Sequence, residues 1–229
     1  MKTKTIKLLD LCCKAGGAAM GYYQAAQDLG LKIQITGIDI EPQPNYPFKF
    51  IKCDAVKYLQ KNGHKFTHVH ASPPCQPFTV STSEMRALGK VYPDIIQPIR
   101  ELITLSGLPG IIENVPQAPV HPDIVLRGDM FNLKVLRKRH FECVNWFSLT
   151  PQLSKKTGSV RNGDYVSVFG KEGLKGQKNN PFPCKFRLNT VRETWAFAMG
   201  IDWHMKGPEL AEAIPPAYTR YIGFDFFKN

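Results

Sequence analysis

Two short segments carry residue types that could do covalent chemistry. Cys75 follows Pro73 and Pro74 in the run His-Ala-Ser-Pro-Pro-Cys, and Glu113 follows two isoleucines and precedes an asparagine. Prolines fix φ and lack a backbone donor, so the loop that carries the thiol should be stiff and should hold it away from the sheet. Reactive thiols need such presentation, whereas an inert free cysteine is usually a core residue. The pattern favours a cysteine nucleophile, with the inert residue as the alternative.

Glu113 is a candidate proton donor. The isoleucines before it predict a buried strand, so its carboxyl group should emerge into a cleft, where partial burial would raise its pKa toward neutrality. An ordinary polar cap at the end of a strand is the alternative.

A basic segment, Leu-Arg-Lys-Arg-His-Phe-Glu at residues 136–142, follows downstream. If it is extended, Arg137 and Arg139 share one side of a strand and Lys138 lies on the other, because side chains alternate with a period of two. Taken alone, such a strand is typical of a solvated or phosphate-facing edge.

The elements that must position these residues alternate between strand and helix in the first half of the chain. Apolar runs predict strands, and segments with small or amphipathic residues predict helices: strands at 6–11, 33–39, 49–54, 67–72 and 110–115, and helices at 16–30 and 93–107. This order predicts an α/β fold with a doubly wound, mostly parallel sheet. After Val115 the pattern loosens, with one β-like stretch at 134–143 and helices at 191–200 and 207–214 that end at Pro215 and Pro216.

Polar residues follow each predicted strand of this sheet. They are Asp10 with Gly16 and Gly17, Asp39 with Glu41, Asp54, Cys75, and Glu113 with Asn114. Open α/β sheets bind ligands at the carboxyl ends of their strands, so these residues predict one site. Each has an ordinary alternative: the turn before the first helix is not G-x-G-x-x-G, and a strand-end acid is often a surface charge.

Composition limits the class of protein. The chain has 229 residues and a mass of 25.8 kDa, enough for one dominant core, and no stretch approaches the roughly 18 apolar residues of a membrane span. The basic and then apolar start contains Asp10 and no cleavage site, so a strand is predicted there and not a secretory signal. The 6 cysteines show no CxxC pair, so we expect reduced thiols, no structural metal and a cytoplasmic protein.

The chain is strongly basic. Its 30 Lys and Arg exceed its 19 Asp and Glu, which gives a formal charge of +11 and a pI near 9.4. Such an excess favours a polyanionic partner, above all nucleic acid, because neutralising phosphates releases counterions. A basic surface that only maintains solubility is the alternative.

In order and spacing, a series of segments resembles the sequence blocks of DNA cytosine-5 methyltransferases, including compact members from bacteriophages. The segments are residues 10–17, 37–41, 53–55, 72–78, 111–115, 136–142, 192–201 and 212–223. The most specific is Pro-Pro-Cys-Gln at 73–76, followed downstream by Glu-Asn-Val at 113–115. The resemblance spans nearly the whole chain and implies a Rossmann-like, S-adenosylmethionine-dependent methyltransferase fold.

The resemblance also implies a mechanism. Carbon 5 of cytosine is a poor nucleophile, and addition of the Cys75 thiolate at carbon 6 would make the ring electron-rich. Glu113 would hydrogen-bond or protonate N3, Arg139 would reach O2, and Arg137 would support the site.

By the same resemblance, the methyl donor is S-adenosylmethionine, and no metal is required. Asp10 and the Gly16–Gly17 turn would approach the methionine part, Asp39 the ribose, Ile40 the adenine face and Asp54 the adenine amine; Cys12 and Pro74 complete the predicted donor site. The target cytosine must be flipped out of the DNA or be single-stranded. Residues 76–92 have the composition of a lid that closes over phosphates, and an ordinary surface loop is the alternative.

The chain also departs from the family pattern. Cys12 stands where an aromatic residue is common, Lys14 where a glycine is usual, and residues 211–214 replace Gly-Asn-Ala-Val. These changes raise the possibility of altered donor binding.

The predicted organisation is a catalytic domain at 1–142, a small target-recognition lobe at 143–190 and a C-terminal segment at 191–229 that returns to the catalytic domain, in a monomer. Within the lobe, residues 155–180 are basic and rich in Gly and Asn, with Tyr165 and Phe169. They are interpreted as a reduced recognition element, with an unselective surface excursion as the alternative.

The functional hypothesis is a cytosine-5 DNA methyltransferase. One alternative is an RNA cytosine-5 methyltransferase, since a relative of the family acts on transfer RNA. The other is a non-catalytic DNA-binding module that kept the fold and lost donor binding.

Overall fold

A seven-stranded sheet forms the centre of the molecule in a computed structural model, which describes residues 5–79, 82–148, 157–170 and 184–229. The strands are β1 (Thr5–Leu11), β2 (Lys32–Asp39), β3 (Lys49–Lys52), β4 (His68–Ala71), β5 (Gly110–Asn114), β6 (Ile124–Leu126) and β7 (Arg139–Val144). Their order across the sheet is β3-β2-β1-β4-β5-β7-β6. The first five strands pair in parallel and β7 runs antiparallel to both of its neighbours, which confirms the predicted α/β fold with a mostly parallel sheet.

Helices cover both faces of this sheet. They are α1 (Gly17–Asp28), α2 (Ala55–Asn62), α3 (Ser83–Ala87), α4 (Ile96–Ser106), α5 (Val191–Met199), α6 (Gly207–Glu212) and α7 (Pro216–Phe226). Buried residues of α1 and α7 form one apolar cluster with one face of β1, and those of α2 and α4 form a second with the other face. Because successive side chains of a strand point to opposite faces, β1 supplies Leu8 to the first cluster and Leu9 to the second. The sheet is doubly wound, as predicted.

The local sequence explains where the first helices begin and end. Gly16 precedes α1 with a φ of 85°, a left-handed conformation that glycine adopts at little cost. Asp54 caps α2, because its side chain accepts a hydrogen bond from the backbone N–H of Lys57 at 2.9 Å. Gly16 ends the turn after β1 and Asp54 ends the turn after β3, so the turns that start these helices also border the edge of the sheet where ligands bind.

The C-terminal helix α7 packs against α1, and the prediction that helical structure ends at Pro215 and Pro216 was wrong. Pro216 is the first residue of α7, a position where the missing N–H of proline costs nothing. The Thr219 hydroxyl donates a hydrogen bond to the carbonyl of Ala18 at 2.8 Å, and a methyl group on Gly21 would overlap the backbone carbonyl of Pro216. The absence of a side chain on Gly21 therefore allows the two helices to approach closely.

A third apolar cluster joins α5 and α6 to part of the predicted recognition lobe. Val166 and Val168 are buried in it beside Trp195 and Met199 of α5. The segment 157–170 of the lobe therefore packs on the C-terminal helices, while residues 149–156 and 171–183 of the lobe lie outside the described residues. The predicted boundary after residue 142 falls inside β7, so the sheet contains the first two residues of the predicted lobe.

Several elements differ from the sequence-based prediction. The β-like stretch predicted at 134–143 is extended only from Arg139 onward, and the helices α2 and α3 and the strand β6 were not predicted. None of the helices formed by the described residues has the length and apolar character needed to cross a membrane.

Candidate active site

A cavity of about 310 Å³ opens at the carboxyl ends of β1, β2, β4 and β5. Of the site residues predicted from the sequence, all except Gly16 and Glu41 line it: Asp10, Cys12, Gly17, Asp39, Ile40, Asp54, Pro74, Cys75, Glu113, Asn114, Arg137 and Arg139. Residues from distant parts of the chain thus converge on one space, as expected for the strand-end edge of a doubly wound sheet.

Cys75 lies in a loop that is held at several points. The side-chain amide of Asn114 donates a hydrogen bond to the carbonyl of Pro73 at 3.0 Å, and the backbone N–H groups of Phe78 and Thr79 both donate to the carbonyl of Cys75 at 2.9 Å. The thiol is half-buried and lines the cavity, so it is presented to a ligand and is not an inert core residue. The asparagine that anchors this loop belongs to β5, which also carries Glu113.

The electrostatic surroundings of Cys75 act in opposite directions. Burial raises the pKa of the thiol above its usual value, the positive charge of Arg139 lowers it, and the negative charge of Glu113 raises it. Because burial is the largest cause, the thiol is mainly protonated at neutral pH in the ligand-free protein. A small thiolate fraction suffices for attack, because sulfur is intrinsically nucleophilic.

Glu113 and Arg139 form a buried ion pair on the cavity wall. The Nε atom of Arg139 lies 2.9 Å from Oε1 of Glu113, and Glu113 is only 5% exposed. Burial raises the pKa of Glu113, while Arg139, Arg137 and a hydrogen bond from Ser72 hold that rise back. The carboxyl group can therefore exchange a proton nearer to neutral pH than a surface glutamate can.

Arg137 reaches the cavity by a route that the sequence did not predict. Its φ of 35° is left-handed, so it does not belong to an extended strand with Arg139, and the prediction of two alternating strand residues was wrong. Its guanidinium donates hydrogen bonds to the carbonyl oxygens of Val168, at 3.1 Å, and Ala211, at 2.5 Å. Burial lowers the pKa of Arg137 to about 9. These contacts tie the segment 157–170 to the end of α6 and make Arg137 a supporting residue.

Asp10 is a buried carboxyl group whose two oxygens differ in their hydrogen bonding. It is 1% exposed, the hydroxyl of Tyr46 donates to Oδ2 at 3.0 Å, and Oδ1 has no hydrogen-bond partner among the described residues. Burial raises the pKa of Asp10 to about 7. An unpaired buried acceptor on a cavity wall fits a ligand that supplies a donor, above all a cationic one such as an ammonium group. Tyr46 was missed by sequence analysis, because nothing in its surroundings marks it as a partner of Asp10.

Asp39 and Asp54 already accept hydrogen bonds from the backbone. Oδ1 of Asp39 accepts from the N–H of Glu41 at 3.0 Å, and Oδ2 accepts from the N–H of Lys14 at 3.2 Å. Asp39 therefore joins the turn after β2 to the turn after β1. Carboxylate oxygens can accept more than one hydrogen bond, so both aspartates retain acceptor capacity toward the cavity. Ile40 is 63% exposed, which leaves its side chain open to contact a flat ring.

Gly16 does not line the cavity, so the structure does not support a direct contact from it to a ligand. A Cβ at this position would lie 2.6 Å from Cδ of Pro47, and the backbone is left-handed. Gly16 is therefore required by the turn itself. Gly17 does line the cavity, and a side chain there would overlap the carbonyl oxygen of Ile214, so it allows α1 to approach the segment 211–214 that forms another part of the cavity wall.

Two of the departures from the family pattern contact each other. The ammonium group of Lys14 lies 3.4 Å from a carboxylate oxygen of Glu212, and both residues line the cavity. Both side chains are nearly half exposed, so the pair contributes about 1 kcal/mol or less to stability. Cys12 and Lys14 both have left-handed backbones, with φ values of 57° and 45°. Lys14 and Glu212 thus carry opposite charges that neutralise each other at one place on the cavity wall.

The predicted lid lies beside the cavity. Gln76, the first residue of the predicted lid, and Pro93, which follows its last residue, line the cavity. Arg86 of α3 donates hydrogen bonds to the carbonyls of Gln76, at 2.8 Å, and Thr79, at 2.9 Å. Residues 80 and 81 lie outside the described residues. Closure of this segment over a ligand stays a prediction, as does target recognition by residues 155–180, of which Tyr165 is buried and Phe169 is 63% exposed.

Ser72 is a site residue that sequence analysis missed. It lines the cavity and is hydrogen-bonded to Glu113 and to the buried His70. The only signal in the sequence was the position of Ser72 and His70 two residues apart at the end of a strand, which places them on one face. No group of three or more His, Cys, Asp or Glu side chains within the described ranges could hold a metal ion.

Comparisons with known proteins agree with this fold. No family model matches the sequence, and no curated protein matches it. Among solved structures, the chain is similar to the Dnmt2 methyltransferase of S. pombe, with a TM-score of 0.58 and 15% identity over 98% of this chain and 99% of that one. It is also similar to the methyltransferase EhMeth of Entamoeba histolytica, with a TM-score of 0.57 and 12% identity over 99% of each chain. At these identities the likeness establishes the fold: the chain has, over nearly its whole length, the Rossmann-like fold of these methyltransferases.

Proposed function

We propose that this protein transfers a methyl group from S-adenosylmethionine to carbon 5 of cytosine in DNA. The observation that carries the proposal is the convergence of Cys75, Glu113 and Arg139 on one cavity that is also lined by Asp10, Asp39 and Asp54. A nucleophile, an acid and a cation in the same cavity as further carboxylates suit a reaction between a pyrimidine and a cationic donor.

Cys75 supplies the covalent step. Its thiolate forms a bond from Sγ to carbon 6 of the ring, and the electron pair of the 5,6 double bond becomes available at carbon 5. Carbon 5 then takes the methyl group, as the methyl–sulfur bond of the donor breaks and leaves its electron pair on a neutral thioether. Carbon 5 next loses its proton to a base from solvent. The electrons of that C–H bond re-form the double bond and expel the Cys75 thiolate, so the enzyme is regenerated without an oxidant or reductant.

Glu113 and Arg139 stabilise the charge that develops during attack. A protonated Glu113 donates to N3, which neutralises the negative charge that would otherwise accumulate on the ring. Arg139 donates to the carbonyl oxygen at carbon 2, where part of the same charge resides. The ion pair between these residues, at 2.9 Å, orients both toward the same space before the substrate arrives.

The donor half of the cavity fits S-adenosylmethionine, which supplies an electrophilic methyl group when bound. Oδ1 of Asp10, which has no hydrogen-bond partner among the described residues, suits the ammonium of the methionine part, and the retained acceptor capacity of Asp39 suits ribose hydroxyls. The exposed side chain of Ile40 offers an apolar surface for the adenine ring, and Asp54 offers an acceptor for its amine. These residues bind and orient the donor and take no part in bond making.

DNA is the proposed substrate because the chain combines the Cys75–Glu113–Arg139 site with a formal charge of +11, which favours a polyanionic partner. A base inside a duplex cannot reach a half-buried thiol, so the cytosine enters the cavity flipped out or from a single strand. Residues 76–92 are proposed to close over it.

The proposal is tested by incubating the chain with labelled S-adenosylmethionine and either cytosine-rich DNA or transfer RNA. We expect label on carbon 5 of cytosine in DNA, complete loss of transfer in Cys75→Ser with donor binding retained, and no loss in Cys53→Ser, which replaces a half-buried cysteine that does not line the cavity. Label in RNA alone would establish the RNA enzyme instead. Absence of donor binding by calorimetry would establish a non-catalytic module, and full activity of Cys75→Ser would refute the mechanism.

A further inference from the structure

A chain of buried polar groups runs from the core to the catalytic acid. The hydroxyl of Tyr22 lies 3.1 Å from Nδ1 of His70, and Nε2 of His70 lies 2.8 Å from the hydroxyl oxygen of Ser72. Ser72 is hydrogen-bonded in turn to the carboxyl group of Glu113. Tyr22 and His70 are both 0% exposed, so solvent cannot substitute for any partner in this part of the chain.

The direction of these hydrogen bonds follows from counting donors. His70 is neutral, because burial lowers its pKa to about 3, so one ring nitrogen donates and the other accepts. If Nδ1 donated to Tyr22, the phenolic proton would be left without an acceptor, since Tyr22 has no other polar partner among the residues the structure describes. An unpaired buried donor is costly, so Tyr22 donates to Nδ1, and Nε2–H donates to Ser72.

This direction determines what Ser72 does. Its oxygen accepts from His70, which leaves its own proton free to donate to Glu113. We infer that His70 is a positioning residue that fixes Ser72 as a hydrogen-bond donor to the Glu113 carboxylate. The relay Tyr22–His70–Ser72 therefore stabilises the ionised form of the acid. Its effect on catalysis rests on the proposed function, whereas the relay itself does not.

Other charged and titratable groups also face Glu113, and the relay changes the pKa of Glu113 in addition to their effects. Arg139 and Arg137 favour the carboxylate from the β7 side, and the Cys75 thiol lies across the cavity. Among the described residues, the phenols of Tyr218, on α7, and of Tyr22 also lie within electrostatic range of Glu113. Tyr22 is part of the relay, but the described hydrogen bonds of the arginines do not involve His70, so a variant of His70 changes the relay and leaves the arginines in place.

The experiment measures the pKa of Glu113 by carbon NMR of protein labelled at the glutamate carboxyl carbons, with Glu113→Gln used to assign the signal. We expect Ser72→Ala to raise this pKa by roughly one unit, because a hydrogen bond to the charged form is lost. His70→Phe should raise it by a smaller amount, since Ser72 is then free to turn. His70→Gln should restore most of the wild-type value, because an amide offers both a donor and an acceptor.

His68→Phe is the matched control. His68 lies on the same strand, is 1% exposed and also hydrogen-bonds through both ring nitrogens, to Thr67 and to the carbonyl of Phe226, but it lies away from the cavity. Its replacement should destabilise the fold and leave the pKa of Glu113 unchanged. In the wild-type protein, nitrogen NMR should show His70 as the Nε2–H tautomer from pH 5 to 8, a measurement that requires no variant to fold.

An Nδ1–H tautomer of His70, or the same Glu113 pKa in Ser72→Ala and His70→Phe as in the wild type, would overturn the inference. The readouts need neither donor nor nucleic acid. A chain that shows the pKa shifts but methylates no nucleic acid would retain the relay and lose the proposed function. If the chain methylates DNA but the variants have the same Glu113 pKa as the wild type, the proposed function stands and the relay is refuted.

Discussion

The guanidinium of Arg139 and the carboxylate of Glu113 are paired at 2.9 Å on the wall of the cavity that holds Cys75, and the two groups act on that thiol with opposite signs. The cation favours the thiolate and the carboxylate disfavours it. The two charges therefore shift the pKa of the Cys75 thiol in opposite directions. A substrate that neutralises or displaces either partner changes this pKa and with it the reactivity of the sulfur. This relationship can be measured before any substrate is known.

Removing either partner should change alkylation of Cys75 in opposite directions. Arg139→Gln raises the pKa of the thiol and should slow its reaction with iodoacetamide at pH 8 several-fold, because the thiolate is the reacting form. Glu113→Gln removes a repulsive charge and should speed the reaction. Mass spectrometry of the peptide that contains Cys75 gives the rate, and Cys53 in the same sample is the internal reference. Changes of the same sign in both variants would contradict the electrostatic account.

Asp10→Asn should stabilise the ligand-free protein at alkaline pH. The pKa of Asp10 is raised from 3.8 in the unfolded chain to about 7 in the fold. The folded state thus binds more protons between these values, and stability falls as the pH rises from about 4 to 7. The amide removes this penalty, by up to roughly 4 kcal/mol at pH 8 and by less at pH 5.

Urea unfolding of Asp10→Asn and the wild type at the two pH values provides the measurement. Donor binding should weaken in the same variant, because an amide oxygen attracts a cation less than a carboxylate does. An equal difference in stability at both pH values would show that Asp10 is ionised throughout in the fold.

Arg137→Ala should destabilise the protein and release residues 157–170 from α6. Loss of the Arg137 guanidinium leaves the partly buried carbonyl oxygens of Val168 and Ala211 without this donor, which should cost about 2–4 kcal/mol. Residues 157–170 should then become accessible to a protease. Arg139 instead donates to the carbonyl of Lys138 and pairs with Glu113. Arg139→Ala should therefore also destabilise the protein, because it leaves the buried Glu113 without its cation, but it should leave residues 157–170 protected. Urea unfolding and limited proteolysis compare the variants, and a more stable Arg137→Ala would remove its supporting role.

Gly21→Ala should destabilise the protein by about 2 kcal/mol or more. The added methyl group overlaps the backbone carbonyl of Pro216 and the Thr219 hydroxyl, and backbone atoms cannot move aside without separating α1 from α7. Gly63→Ala is the control, because its φ is −50° and the nearest atom to a new Cβ is a flexible Leu59 methyl at 3.2 Å. Thermal unfolding should show a change below about 1 kcal/mol for the control, and similar losses in both variants would exclude close helix packing as the cause.

Much of the sheet could be predicted from the sequence, because its strands are nearly continuous apolar runs. Segments such as 6–11 and 110–115 are buried on both faces, and the glycines and polar residues that follow them mark where they end. β6 and α2 lacked such signals: β6 has three residues, and α2 has few apolar side chains and is only partly buried. Helix α7 was missed because its two leading prolines indicate an end as readily as a start.

The residues around the cavity could be predicted only where they follow strand ends. Cys75, Glu113 and Asp10 satisfy that rule, and the structure places all three on the cavity wall. Arg137 lines the cavity, but the strand that was predicted to place it there does not include it. Its left-handed φ cannot be predicted from the period-two alternation of side chains along a strand. Ser72, His70 and Tyr46 act through contacts between distant segments, and a single sequence does not indicate which buried polar groups will meet.

The packing of α7 on α1 joins residues nearly two hundred positions apart, and His68 on β4 reaches the backbone of α7 as well, through a 3.1 Å contact between Nε2 and the carbonyl of Phe226. During synthesis, the apolar side of α1 therefore stays exposed to solvent until α7 has left the ribosome. Such a nascent chain should be a client for chaperones, and a fragment lacking residues 216–226 should be insoluble until a synthetic peptide of that sequence is supplied.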